Sequence, residues 1–219
     1  AGVVGRSSVQ SDWRTRFITT QTLNWNKTFG NVHNVSGIFG LEYVSETRQG
    51  LSGAGIGFPT FQFRTIQSAA TPESITGFWT GYKRAGAFIS GSYDYKKKYL
   101  ATVTARYDGS SRFGANNQYG LFPSIRLGWN IVEESFLQNS EVVSDLKLRT
   151  SYGKTGNDQI GNFAARGLYG GGGNYAGQAG IRPTSLANLD LGWESNVTFN
   201  LGLDYGFLSN RITGSLDVF

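Results

Sequence analysis

The sequence predicts an all-β fold, an antiparallel transmembrane β-barrel wall of about eight strands belonging to a larger outer-membrane barrel. Three observations carry that expectation. Apolar and polar residues alternate with period two in segments of about strand length. The apolar rows end in aromatics, and the links between segments alternate between short and long. Successive side chains of a strand point to opposite faces, so period-two alternation gives each segment one apolar and one polar wall.

Three segments show the pattern cleanly. From Tyr99 to Tyr107 the odd positions read Tyr, Ala, Val, Ala, Tyr, and the even ones Leu, Thr, Thr, Arg. From Tyr119 to Ile131 one face is Tyr119, Leu121, Pro123, Ile125, Leu127, Trp129 and Ile131. The other is small or polar apart from Phe122. From Val197 to Phe207, Val197, Phe199, Leu201, Leu203, Tyr205 and Phe207 oppose Thr198, Asn200, Gly202, Asp204 and Gly206. Weaker alternation marks Phe17–Lys27, Val35–Tyr43, Ala87–Tyr95, Leu146–Tyr152 and Ile212–Val218. No segment reads as a helix beyond a short turn around Glu133-Glu134-Ser135-Phe136.

Short links are expected at Phe29–Asn34, Lys96–Lys98 and Leu208–Arg211, with Val132–Asp145 falling on the same side. Long links are expected at Ser45–Thr80, Gly109–Gln118 and Gly156–Asn196. Outer-membrane barrels have short periplasmic turns and long extracellular loops, which orients Lys96–Lys98 toward the periplasm as a solvated turn. Gly170–Gly173 lacks the Lys-Ser/Thr and strand–helix context of a phosphate-binding loop.

Composition agrees. Of 219 residues 31 are Gly, 14% are aromatic and 16% are charged, against roughly 25% charged in ordinary globular proteins. The mean hydropathy is negative, and no apolar run reaches the ~18 residues of a transmembrane helix. A soluble sandwich or lipocalin-like barrel also alternates. Aromatics at the row ends, such as Tyr99 and Tyr107 or Tyr119 and Trp129, resemble interfacial girdles and favour lipid. Nine residues at ~3.3 Å rise span about 27 Å, close to what a tilted strand needs in a bilayer. Arg106, Arg126, Asp204 and Asp217 on the polar rows suit a water-filled lumen, and equally the solvated face of a sandwich.

The sequence contains no Met, and Ala1–Arg6 has neither the charged nor the apolar region of a signal peptide. It stops inside a strand at Asp217-Val218-Phe219. It is therefore expected to be a piece of a larger barrel.

Function classes narrow in the same way. The net charge of +5 is scattered, which argues against nucleic acid. With no Cys and His33 as the only His, the sequence lacks the residues for thiolate catalysis, a His-based triad or a multi-His metal site, so no enzyme activity, cofactor or metal is expected. Glu133-Glu134 reads as a solvated turn, and Asn157-Asp158 lacks the spacing of a calcium loop. Sequons at Asn26, Asn34 and Asn196 lie in or beside strands. The stretch Asp108-Gly109-Ser110-Ser111-Arg112-Phe113-Gly114 has two readings. Arg112 and Phe113 could meet a ligand or a capping protein. Turn chemistry, with Asp108 and Arg112 bonding the loop, accounts for every residue type as well. Tyr169 and Tyr175, with Phe58, Phe61 and Phe63, are further candidates for stacking on a sugar or contacting a cap.

From about Tyr99 onward the sequence resembles the TonB-dependent outer-membrane receptors of the SusC/RagA type, found in Bacteroidetes. The resemblance runs through Asp108–Gly114, Tyr119-Gly120, Phe122-Pro123-Ser124, Gly128-Trp129 and Glu133–Phe136. It continues through Asp145–Arg149, Ser151-Tyr152-Gly153, Thr155-Gly156-Asn157, Ile160–Asn162, Leu186–Asn188, Trp193-Glu194, Asn200–Asp204 and Asn210–Ser215. The resemblance implies a multi-pass protein of the bacterial outer membrane with a 22-stranded barrel plugged by an N-terminal domain. It implies import of glycans, peptides or other large nutrients, powered by the TonB–ExbB–ExbD complex, with a SusD-like surface lipoprotein as partner. On this reading residues 1–219 are part of one β-barrel domain, and the plug, TonB box and signal peptide lie outside them. A porin or adhesion barrel without energy coupling is the alternative.

Overall fold

The computed structural model describes residues 5–63 and 65–219. Its strands are β1 (Arg6–Phe29), β2 (His33–Ile56), β3 (Thr71–Tyr95), β4 (Tyr99–Ser110), β5 (Tyr119–Asn130), β6 (Val143–Asn157), β7 (Tyr169–Gly171), β8 (Ile181–Pro183), β9 (Glu194–Phe207) and β10 (Ile212–Val218). Eight form one sheet in the order β1-β2-β3-β4-β5-β6-β9-β10, so neighbours in the sequence are neighbours in the sheet. β7 and β8 form a separate hairpin inside the link between β6 and β9.

All eight expected strands are present, but the first three are much longer than the alternation indicates. At ~3.3 Å per residue, the 24 residues of β1 reach about 80 Å, well beyond a bilayer core of about 30 Å. The expected loop Ser45–Thr80 is mostly strand, and the connection shrinks to residues 57–70. The cause is tertiary. Residues 45–56 carry Ser, Thr and Gly without a clean apolar row, yet they pair along their edges with neighbouring strands. The Gly-rich hairpin β7–β8 is a second departure from the expected loop, with Tyr169 opposite Pro183. The expected helical turn at Glu133–Phe136 is a 3₁₀ turn slightly earlier, at Ile131–Glu133.

Residue contacts group the chain into two units, Ala1–Ile18 with Val44–Lys83, and Thr19–Tyr43 with Arg84–Phe219. In the first unit Val44, Ala54 and Phe58 are buried. A cavity of about 380 Å³ lies among Val9, Leu51, Ile66, Pro72 and Ile75. Ion pairs join Arg6 to Glu73 (2.6 Å), Arg48 to Asp12 (2.8 Å) and Arg14 to Glu46 (2.8 Å).

In the second unit the register keeps like with like. Across β4–β5, Tyr99 faces Trp129, Ala101 faces Leu127, Val103 faces Ile125 and Tyr107 faces Leu121. Across β6–β9, Leu148 faces Leu203 and Tyr152 faces Phe199; across β9–β10, Leu203 faces Leu216. A slip of one residue would turn each apolar row onto the polar face, so burial of either face fixes the register. On the polar face Ser90 pairs with Thr104 and Ser92 with Thr102 by hydroxyl hydrogen bonds of 2.8 and 2.9 Å.

Candidate functional site: the polar face and its loop junction

The polar face of the second unit carries two compensated groups of charges, while among the described residues Arg126 and Lys147 on the same face have no ion pair. Arg149 donates from Nε to Asp204 (3.1 Å) and from Nη2 to Asp217 (2.8 Å), so three adjacent strands share one guanidinium. Toward the loop end, Glu42 Oε1 accepts from Arg84 (3.2 Å) and Arg106 (3.0 Å), and Arg106 Nε also donates to Asp108 Oδ2 (2.6 Å). The Arg106 guanidinium lies 5.5 Å from the centre of the Phe88 ring. Asp108 Oδ1 and Arg84 Nε are buried and have no hydrogen-bond partner among the described residues, which leaves part of this cluster's desolvation cost uncompensated.

Asp158 extends the cluster into the loops. Its carboxylate accepts from Ser110 Oγ (3.2 Å) and lies 3.8 Å from both Arg84 and Arg112. Arg112 also donates to the Asp158 carbonyl (2.8 Å) and to Asn162 Oδ1 (2.8 Å). Three guanidinium groups (Arg84, Arg106, Arg112) thus stand among three carboxylates (Glu42, Asp108, Asp158). Asp158, set aside as a calcium ligand for its spacing, has its charge balanced by arginines.

An aromatic group seats the same loops. Phe122, the one apolar residue on the polar row of β5, is buried. Its ring covers Gly120 and Gly156, and it meets Trp193 edge-on at 5.1 Å between centroids. Phe113 also packs against Trp193, tilted at 4.8 Å between centroids, and Trp193 Nε1 donates to the Gln118 carbonyl (3.1 Å). Gly114 N donates to Leu191 O (2.8 Å) and Asn116 N to Leu189 O (3.1 Å). Any Cβ on Gly114 would run into the Leu189 carbonyl, so only glycine permits this approach.

The four residues singled out in the sequence separate here into two pairs. Arg112 and Phe113 lie inside the junction, Phe113 only 4% exposed, and they hold the 158–193 loop rather than only their own turn. Tyr169 and Tyr175 stand on the β7–β8 hairpin at 71% and 85% exposure. Glu42, Arg84, Asp158 and Trp193 escape sequence reasoning as site residues. Their side-chain partners lie 42 or more positions away, beyond any local motif. The one available signal was Phe122, an aromatic out of place on a polar row.

At the opposite end, aromatic rings stack in a row. The centroid distances are 4.8 Å for His33–Tyr95, 6.3 Å for Tyr95–Tyr99 and 6.4 Å for Tyr99–Trp129. Glu134 accepts from the Tyr99 hydroxyl (2.7 Å), Trp129 Nε1 (3.1 Å) and Lys98 Nζ (3.1 Å). Its side chain is only 16% exposed, so the expectation of a solvated turn fails for Glu134 and for Lys98. The hydrogen bonds from Tyr99, Trp129 and Lys98 hold the Glu134 carboxyl below its ordinary value.

An apolar face edged with aromatics, opposite a polar face bearing clusters of paired charges, defines the wall of a transmembrane β-barrel of the outer-membrane type. Residues 3–219 match the model of the TonB dependent receptor-like, beta-barrel family, and the chain belongs to that family. The family comprises outer-membrane transporters and receptors rather than enzymes. Among curated relatives, TonB-dependent receptor P39 of Formosa agariphila is 36% identical over 209 residues, 89% of this chain and 19% of that protein. TonB-dependent receptor SusC of Bacteroides thetaiotaomicron is 46% identical over 134 residues, 58% of this chain and 13% of that protein. The chain thus spans about one-fifth or less of the length of these relatives. A solved structure of the RagAB peptide transporter superposes with a TM-score of 0.88 at 27% identity, covering 97% of this chain and 24% of that one. The RagAB peptide importer in its 'open-open' state gives 0.86 at 26% identity. The SusC/RagA resemblance read from Tyr99 onward therefore stands, and it extends over the first strands as well.

Proposed function

We propose that this chain is the wall and loop support of an energy-coupled importer of large nutrients in a bacterial outer membrane. The observation that carries the reading is the junction of Asp158, Arg112 and Trp193, which anchors two long loops at one end of a bilayer-spanning sheet. A wall serving only as a passive pore has less use for loops locked to one another by buried ion pairs. The full protein would be a 22-stranded barrel with its plug and TonB box outside residues 1–219. The polar face lines its lumen, the apolar face meets lipid, and the loops point outward. Tyr169 and Tyr175 then meet the nutrient or a SusD-like lipoprotein, and Arg112 and Phe113 set the loop that carries them. The solved relative named as a peptide transporter supports peptides as one cargo class, and the SusC/RagA resemblance adds glycans as the other.

Two measurements test the reading. A strain lacking the gene loses growth on at least one glycan or peptide source, and loses it equally when TonB is removed. Uptake that persists without TonB would mean a porin. For topology, Gln178→Cys reacts with an impermeant maleimide on intact cells, whereas Lys97→Cys reacts only after the outer membrane is opened. The opposite labelling would invert the orientation.

A further inference from the structure

The backbone of the β3–β4 turn is held by groups other than its lysine side chains. Lys96 N donates to Val32 O (2.8 Å), Lys97 N to Asp94 Oδ1 (3.1 Å) and Lys98 N to Tyr95 O (2.9 Å). Asn130 Nδ2 donates to Lys97 O. Lys96 and Lys97 nevertheless adopt φ of 52° and 58°, left-handed backbone in which tight hairpins ordinarily place Asn and Gly. A turn pinned this well would keep its shape with Asn-Gly at the tip. Side-chain chemistry is therefore the more economical reason for two lysines there.

That chemistry is positive charge left uncompensated. Both lysines are exposed, and among the described residues no carboxylate pairs with either, in contrast to Lys98 on Glu134. The Lys96 ammonium lies 5.4 Å from the Tyr95 ring centre, at the edge of the aromatic row. The adjoining strand repeats the arrangement. Lys27 interrupts the row Leu23, Trp25, Phe29, all three exposed, and its ammonium lies 5.1 Å from the Phe29 ring centre. The bond from Lys96 N to Val32 O makes the two turns neighbours. Lysine stems laid along interfacial aromatics, with the ammonium at the polar border, are suited to a bilayer surface.

We propose that Lys27, Lys96 and Lys97 form a contact for the phosphate of an anionic phospholipid headgroup in the leaflet at the turn end. The proposal rests on the reading of these strands as bilayer-spanning. Cationic side chains at this depth meet headgroup phosphates, and salt weakens the contact within a Debye length.

The test uses the full-length receptor, purified in detergent and titrated with phosphatidylglycerol or phosphatidylcholine under native mass spectrometry. The wild type retains phosphatidylglycerol preferentially. Lys96→Asn with Lys97→Gly, which suits the turn's backbone, lowers that preference by about fivefold for each lysine removed. Lys96→Arg with Lys97→Arg keeps it, and Lys27→Gln lowers it by about fivefold on its own. An undiminished preference in both the Asn-Gly and the Lys27→Gln proteins overturns the proposal. Heat-modifiable migration of each variant separates this outcome from misfolding. Recovery of the receptor as a soluble protein without detergent would instead overturn the bilayer reading.

Discussion

At the loop end of the second unit, Asp158 draws together Ser110, Arg112 and Arg84, and Trp193 packs against Phe113 and Phe122. At the turn end, Glu134 takes Trp129 from five positions away and Tyr99 from 35. Each tight turn has one backbone bond of its own (Val32 N to Phe29 O, Lys98 N to Tyr95 O, Arg211 N to Leu208 O) beside bonds to a neighbouring turn or strand end. The contrast follows link length. A link of a few residues leaves little chain to place, whereas residues 158–193 need side-chain partners from outside to hold one place. That partner is polar and mostly buried, so its loss leaves charges without counterparts.

The largest expected effect is at the junction. Asp158→Ala removes the partner of Arg84, Arg112 and Ser110 and costs about 3 kcal/mol. Limited proteolysis should then cut within the 158–193 loop at a lower protease dose, with the turn end unaffected. If the loop stays resistant, the junction does not anchor it. Phe122→Ala removes the ring over Gly120 and Gly156 and should cost about 3 kcal/mol, read as a lower thermal midpoint. Equal stability would mean that Trp193 fills the space.

A smaller, pH-dependent effect is expected at the turn end. The Glu134 carboxyl is held below its ordinary value, so its contribution is fully present above that value. It is lost as pH falls through the lowered value of the folded protein. Glu134→Gln should remove this part of the acid sensitivity while leaving the loop's protease resistance intact. A variant as acid-sensitive as the wild type would show that Glu134 is not the group titrating. The smallest effect belongs to the β9–β10 turn, where Ser209 sits at φ 57°. Ser209→Gly should stabilise by about 0.5 kcal/mol, measurable as a small rise in denaturant midpoint.

Alternation between Tyr99 and Tyr107, Tyr119 and Ile131, and Val197 and Phe207 located three strands within a few residues, because each has one face for lipid and one for water. The same criterion stopped short in β2 and β3. Their outer portions carry Ser or Thr on both faces, and only pairing with neighbouring strands makes them β-structure. Asp108–Gly114 was legible as a built turn, yet Arg112 spends its hydrogen bonds on Asn162 and the Asp158 carbonyl, some 50 positions away.

The sequence by itself determined the class of wall, its two faces and its rhythm of turns and loops, since these follow from period two and from local turn chemistry. The tertiary structure decided how long the first strands are, which carboxylate locks which loop, and that Glu134 is a hub rather than a solvated turn. Those outcomes depend on register and on partners far apart in the chain. A window of neighbouring residues holds neither.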